Sequence, residues 1–136
     1  MTYNKLFIVT IIVAVLDGLF LYLNHSFFNE QIKKVQGSSI KIDFVSAFLC
    51  YIFIILGLYH FIIKNDRSIY DAFLLGIFVY GVYELTTKSL LKDWSYKTVI
   101  IDTLWGGILF SLTTFGTYHI LGKTKYDFSV IHPSTI

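Results

Sequence analysis

The chain has 136 residues, of which 55% are hydrophobic, 18% aromatic and only 15% charged, with eleven bases against nine acids and a single proline, Pro133. A soluble domain of this size carries nearer a quarter charged residues, so the composition excludes an ordinary water-soluble fold. A net charge of +2 with no basic patch interleaved with stacking aromatics excludes a nucleic-acid partner, and one cysteine, Cys50, excludes an internal disulfide and a thiolate metal centre.

The apolar residues come in four blocks, Leu6 to Leu23, Phe44 to Ile63, Ala72 to Leu91 and Val99 to Leu121. Each is close to the roughly 20 residues that span a hydrocarbon core of about 30 Å. The expected fold is all-α: a polytopic membrane protein with four transmembrane helices in an up-down bundle. Residues 1–122 form the membrane domain and 123–136 a polar C-terminal tail. The first block is expected to be a retained helix rather than a cleaved leader, because Asp17 interrupts it and no small-x-small site follows.

In the first helix, Thr10, Ala14, Asp17, Gly18, Asn24 and His25 return to one side at helical spacing, which predicts a small, polar face directed into the bundle. The connection to the second helix places Phe28, Ile32 and Val35 at i, i+4 and i+7, with Lys33 and Lys34 turned away. This predicts a short amphipathic helix at the membrane interface, capped by Ser26 and stopped at Gly37. The second spanning helix carries Ser46, Cys50, Phe53, Gly57, His60 and Lys64 in a 4, 3, 4, 3, 4 stripe, which predicts its packing seam, with Cys50 as a packing residue. His60, and His119 in the fourth helix, are expected as interfacial hydrogen-bonding groups.

The third spanning helix presents Gly76, Tyr80, Tyr83, Glu84, Thr87 and Lys88 on adjoining positions, with Glu84 four residues before Lys88 in the favourable order for an ion pair. The fourth presents Asp102, Trp105, Gly106, Leu109 and Thr113 on one face, with Gly107 and Ser111 as a second small pair. An acid at the centre of a membrane helix costs roughly 2.5 to 3.5 kcal/mol, so the three intramembrane acids need a reason to be there. At 1.5 Å per residue, Asp17 and Glu84 lie roughly 18 to 20 Å from their entry side, and Asp102 lies a few residues below the returning turn. All three fall in one layer, near the face bearing the first and third connections. They are expected to meet and to titrate as one unit.

The run GIFVYGVYELTTKSLLKDW followed by VIIDTLWGG resembles the domain of unknown function 2177 family of small bacterial membrane proteins. That family's pattern is approximately G-x-x-x-Y-x-x-Y-D-L-T-N, a base near tryptophan-proline, then D-x-x-W-G. LDGLFLYLNHSFF resembles its first-helix motif and AFLCYIFIILGLYHF its second-helix aromatic motif, so the resemblance covers about residues 5 to 120. It implies motif positions at Asp17, Tyr80, Tyr83, Glu84, Leu85, Thr86, Trp94, Asp102, Trp105 and Gly106, and a bacterial-type cell membrane. The sequence departs from the pattern with Glu84 for aspartate, Thr87 for asparagine, Phe20 for tryptophan and Ser95 for proline.

The candidate site for a proton or cation is therefore Asp17, Glu84, Asp102, Tyr80, Tyr83, Thr87, Lys88 and Trp105, with no metal and no cofactor expected. Three functions fit these residues. The first is proton- or cation-linked binding or transport of a small solute among aromatic walls. The second is a small lipid-modifying enzyme with carboxyls as acid and base, and the third is a scaffold or assembly subunit whose acids pin helices together. The bilayer is the expected partner, with a small solute or lipid beside it. Bases divide five against six between the two ends, which leaves orientation open and permits dual insertion and a homodimer.

Overall fold

The computed structural model describes residues 2–122; the expected polar tail, 123–136, lies outside the described residues. Five helices follow in order: α1 (Thr2–Leu23), α2 (His25–Gln36), α3 (Phe44–Leu58, continuing through a π-helical turn, Tyr59–Ile63), α4 (Ile69–Leu90) and α5 (Tyr96–Ile120). Four of these segments, Thr2–Leu23, Phe44–Ile63, Ile69–Leu90 and Tyr96–Ile120, are long and apolar enough to cross a membrane. The chain is an integral membrane protein with an all-helical fold. α1, α4 and α5 begin three or four residues before their apolar blocks. Helix starts are set by caps rather than by hydropathy: Ser68 Oγ accepts from Asp71 N–H at 3.0 Å, and Ser95 Oγ from Thr98 N–H at 3.1 Å.

Opposite ends of the bundle are fixed by different devices. At the end bearing the α3–α4 turn, fully buried Tyr118 donates from its hydroxyl to Arg67 O at 2.7 Å, and Lys5 and Arg67 pair with Asp66 and Asp71. At the other end α2 leaves α1 with scarcely a break, because Asn24 N–H donates back to Phe20 O while Asn24 O receives Phe28 N–H. Ser26 is thus not the cap. The helix begins one residue before it, and the Asn24 side chain bonds back to Phe20 O at 2.9 Å. α2 ends as expected at Gly37, whose left-handed backbone, φ 77°, suits glycine. Phe28, Ile32 and Val35 are half-buried, and Lys33 and Lys34 are exposed. Asp43 caps α3; the hydrogen bond from the Ser46 hydroxyl, with the Ser46 and Val45 N–H groups, holds its carboxyl below the usual carboxylate range.

Packing centres on α4 and α5, which run antiparallel and all but touch through glycine. A Cβ on Gly76 would lie 2.1 Å from Gly106 O, one on Gly106 would lie 2.3 Å from Tyr80 Cγ, and one on Gly107 would lie 2.7 Å from Phe73 Cε2. Small residues at these positions let two backbones approach where lipid supplies no hydrophobic drive. Against this pair α1 lays Val9 and Val13, and α3 lays Leu58 and Ile62, around Leu109, Phe110 and Tyr118.

Two expected faces point the other way. Thr10, Ala14 and Gly18 of α1 and His25 at the start of α2 are exposed; of the expected face Asp17 is buried, in a row with Val9 and Val13. In α3, Ser46, Cys50, Phe53, His60 and Lys64 are exposed, and the inward row is Tyr51, Ile54, Ile55, Leu58 and Ile62. A Cβ on either Gly18 or Gly57 would meet nothing within 4 Å, so neither glycine serves close packing. Both helices are turned by what Asp17 binds, which brings Tyr51 rather than Cys50 against α1. Thr10 satisfies its own hydroxyl on Leu6 O at 2.7 Å and can face outward. His119 is exposed as well, stacked on Phe115.

The up-down order has a direct check. With Cys50 replaced by serine, single cysteines at Asn65 and at Asp93 are expected to react with an impermeant maleimide from opposite sides of sealed vesicles. Labelling of both from the same side would break the order of spans.

Candidate functional site

Three aromatic hydrogen-bond donors decide where the intramembrane acids sit. Asp17, near the end of α1, is buried and has both carboxylate oxygens engaged: Trp105 Nε1 of α5 donates to Oδ1 at 2.8 Å, and the Tyr51 hydroxyl of α3 donates to Oδ2. One acid therefore joins three helices. Phe20, one turn further along α1, stacks face to face on the Trp105 indole, with centroids 4.3 Å apart and planes within 7°. Phe20, standing where the family pattern has tryptophan, keeps that stacking surface.

Glu84, only 1% exposed, accepts from Trp94 Nε1 at 2.7 Å. Trp94 lies in the short connection after α4 and is itself 5% exposed, so the turn folds its indole back over the last turns of α4. Asp102 in α5 is half-buried and neighbours Glu84 across the α4–α5 contact. Trp105 and Tyr51 hold Asp17 and Trp94 holds Glu84, so the acids are tied to the bundle through different aromatic donors. Among the described residues, no group of three or more His, Cys, Asp or Glu side chains could hold a metal ion.

The remaining candidates divide. Tyr80 packs its ring on Gly106 and edge-on to Phe110, within the electrostatic field of Asp17 and Asp102. Tyr83 is 58% exposed and faces away from the bundle. Thr87 is half-buried and spends its hydroxyl on Tyr83 O at 2.8 Å. Lys88 does not pair with Glu84. Its ammonium sits 4.9 Å from the centre of the Tyr96 ring and 3.4 Å from Lys92 O, while Glu84 is committed inward to Trp94. A lysine one turn from the helix end reaches the interface at less cost than it could be buried.

A cap of polar groups closes the site end. Gln31 of α2, buried to 5% exposure, donates from Nε2 to Asp93 O at 2.9 Å. Its Oε1 accepts from Ser95 N–H at 3.0 Å and from the Thr98 hydroxyl at 2.8 Å. These bonds hold both flanks of Trp94. They also give Ser95 a use that the family's proline cannot match, since proline has no N–H to donate. Periodicity did not single out Gln31, Tyr51 or Thr98; Trp94 was implied only by the family resemblance. Gln31 could have been found as a lone amide on the apolar side of an amphipathic helix, one residue from Ile32.

Motif positions Asp17, Tyr80, Glu84, Trp94, Asp102, Trp105 and Gly106 gather in this one layer, whereas Tyr83, Leu85 and Thr86 are exposed. No curated protein and no solved structure matches the chain. A family model described as "Predicted membrane protein (DUF2177)" matches residues 3–119, nearly the whole described bundle. This chain belongs to that family of membrane proteins.

Proposed function

We propose that the Glu84–Asp102 pair binds a proton, or a cation in its place, and links that exchange to the binding or transport of a small solute. The observation that carries this reading is two acids on the packed helices α4 and α5 within an apolar layer, Glu84 buried and Asp102 half-buried, with Lys88 held at the rim over Tyr96 instead of paired with Glu84. Such a pair holds one proton between two acceptors and gives it up when a positive charge or a polar ligand arrives. Trp94 fixes one oxygen of Glu84, and Tyr80 packs one turn away on the same helix against Gly106 and Phe110.

With the full chain in liposomes that contain a pH-sensitive dye, an imposed proton gradient should dissipate faster than in empty liposomes. Glu84→Gln and Asp102→Asn should each reduce the added rate at least tenfold while the helical circular dichroism persists. Equal rates in all three proteins would remove the proton reading.

A second reading has its own support, because Asp17 engages both its oxygens and joins α1, α3 and α5. On that reading the acids are helix pins of an assembly subunit. Unchanged proton movement together with lowered stability in Glu84→Gln and Asp102→Asn would favour it.

A further inference from the structure

Among the described residues, the two ends of the bundle use their bases differently. At the α3–α4 end, Lys5 and Arg67 are matched to Asp66 and Asp71. At the site end six lysines outnumber the acids Glu30, Asp43 and Asp93, and among the described residues none of those lysines forms an ion pair. Two of them are nevertheless positioned. Lys88 lies over the Tyr96 ring, and Lys97 over the Phe27 ring with its ammonium 5.5 Å from the centroid. A cation held on an aromatic face keeps its full charge, and Lys88 directs one N–H to Lys92 O and leaves the others for another partner.

Below this rim the surface changes character. Lys97 shares its face of α5 with Ile100, Leu104 and Ile108, all exposed at 44 to 58%. Lys88 stands above exposed Leu85 on α4. Positive charge at the end of a spanning helix, directly over an outward apolar strip, matches a molecule with an anionic head and a hydrocarbon tail.

We propose that Lys88, Lys92 and Lys97 form a binding site for the phosphate headgroup of an anionic phospholipid, with an acyl chain lying along Ile100, Leu104 and Ile108. The three lysines bracket in sequence the turn that carries Trp94. The site also fixes the sense of insertion, since it draws this end toward the leaflet richer in anionic lipid. It does not depend on the carboxyl pair exchanging protons.

The test is thermal unfolding of the full chain in neutral detergent, titrated with phosphatidylglycerol, with phosphatidylcholine of the same chains, or with inorganic phosphate at matched ionic strength. Phosphatidylglycerol should raise the melting temperature saturably, and the other two should not. In the triple variant Lys88→Gln, Lys92→Gln, Lys97→Gln the phosphatidylglycerol midpoint should rise roughly tenfold to a hundredfold. The corresponding triple arginine variant should keep the response, and so should Lys33→Gln with Lys34→Gln. An equal response to phosphatidylcholine, or to free phosphate, would overturn the proposal. So would an equal loss in the Lys33, Lys34 variant, which would mean a diffuse charge effect, or an undiminished response in the triple glutamine variant.

Discussion

Gly76→Ala is expected to destabilise the bundle by on the order of 3 kcal/mol, at or beyond the upper end for one added methyl group. The new Cβ would lie 2.1 Å from Gly106 O and 2.9 Å from Gly107 Cα. Both are backbone atoms of α5, so no side chain can swing aside; α4 and α5 must separate along their length. That separation would also pull Glu84 from Asp102. Gly81→Ala on the same helix makes the control, because its Cβ would meet Thr103 Cγ2 at an ordinary 3.5 Å. Gly18→Ala on α1 is a second control, with nothing within 4 Å. Both should stay within about 1 kcal/mol of the parent, with the helix preference of alanine over glycine acting in their favour. Equilibrium unfolding in mixed micelles, followed by circular dichroism, measures all three; a Gly76→Ala protein as stable as the controls would mean that the glycine contact is absent.

Asp17→Ala carries the second large effect. Removing the carboxylate leaves the Trp105 N–H and the Tyr51 hydroxyl without their acceptor inside the bundle, at about 1 to 3 kcal/mol for each unsatisfied group. A loss of about 3 kcal/mol is expected, with a red shift of tryptophan emission as the Phe20 stack on Trp105 loosens. Tyr51→Phe alone should cost less, because Asp17 keeps its bond from Trp105. In the double variant the two losses should fall short of their sum by about 1 kcal/mol or more, since they share one hydrogen bond. Strict additivity would show that Tyr51 and Asp17 do not interact.

These two residues mark how far the amino-acid order is legible. Four spans, the amphipathic α2 with its Gly37 stop, and the layer holding the acids follow from block lengths and helical spacing. The inward face of α5 also follows, because Gly106 and Leu109 repeat with Asp102. The faces of α1 and α3 do not. In water the apolar side of a helix must turn inward, but a membrane helix meets hydrocarbon on its outside, so hydropathy cannot choose the face. The small-residue stripes of Thr10, Ala14 and Gly18, and of Ser46, Cys50 and Gly57, are compatible with either side. What chose was a bond between residues 34 positions apart, Tyr51 to Asp17, and no periodicity encodes it.

The fate of Glu84 has the same origin. Its spacing to Lys88 favours an intrahelical pair, which would be reasonable at a wet surface. In the apolar layer the acid instead takes the neutral N–H of Trp94, ten positions on, and leaves the lysine free to reach the rim. Neutral aromatic donors satisfy a buried carboxyl without bringing a second charge out of water, which is the costly part of a buried ion pair. The same economy explains why Trp94, Trp105 and Tyr51, rather than bases, surround the acids.

If Glu84 and Asp102 hold one proton between them inside the membrane layer, infrared spectroscopy of the chain in lipid bilayers will register it. The expected spectrum has a carboxylic-acid C=O band, shifted by hydrogen–deuterium exchange and downshifted by carbon-13 labelling of aspartate or glutamate, that disappears or moves in both Glu84→Gln and Asp102→Asn. A spectrum in which both groups are carboxylates, or a band indifferent to either substitution, would contradict it.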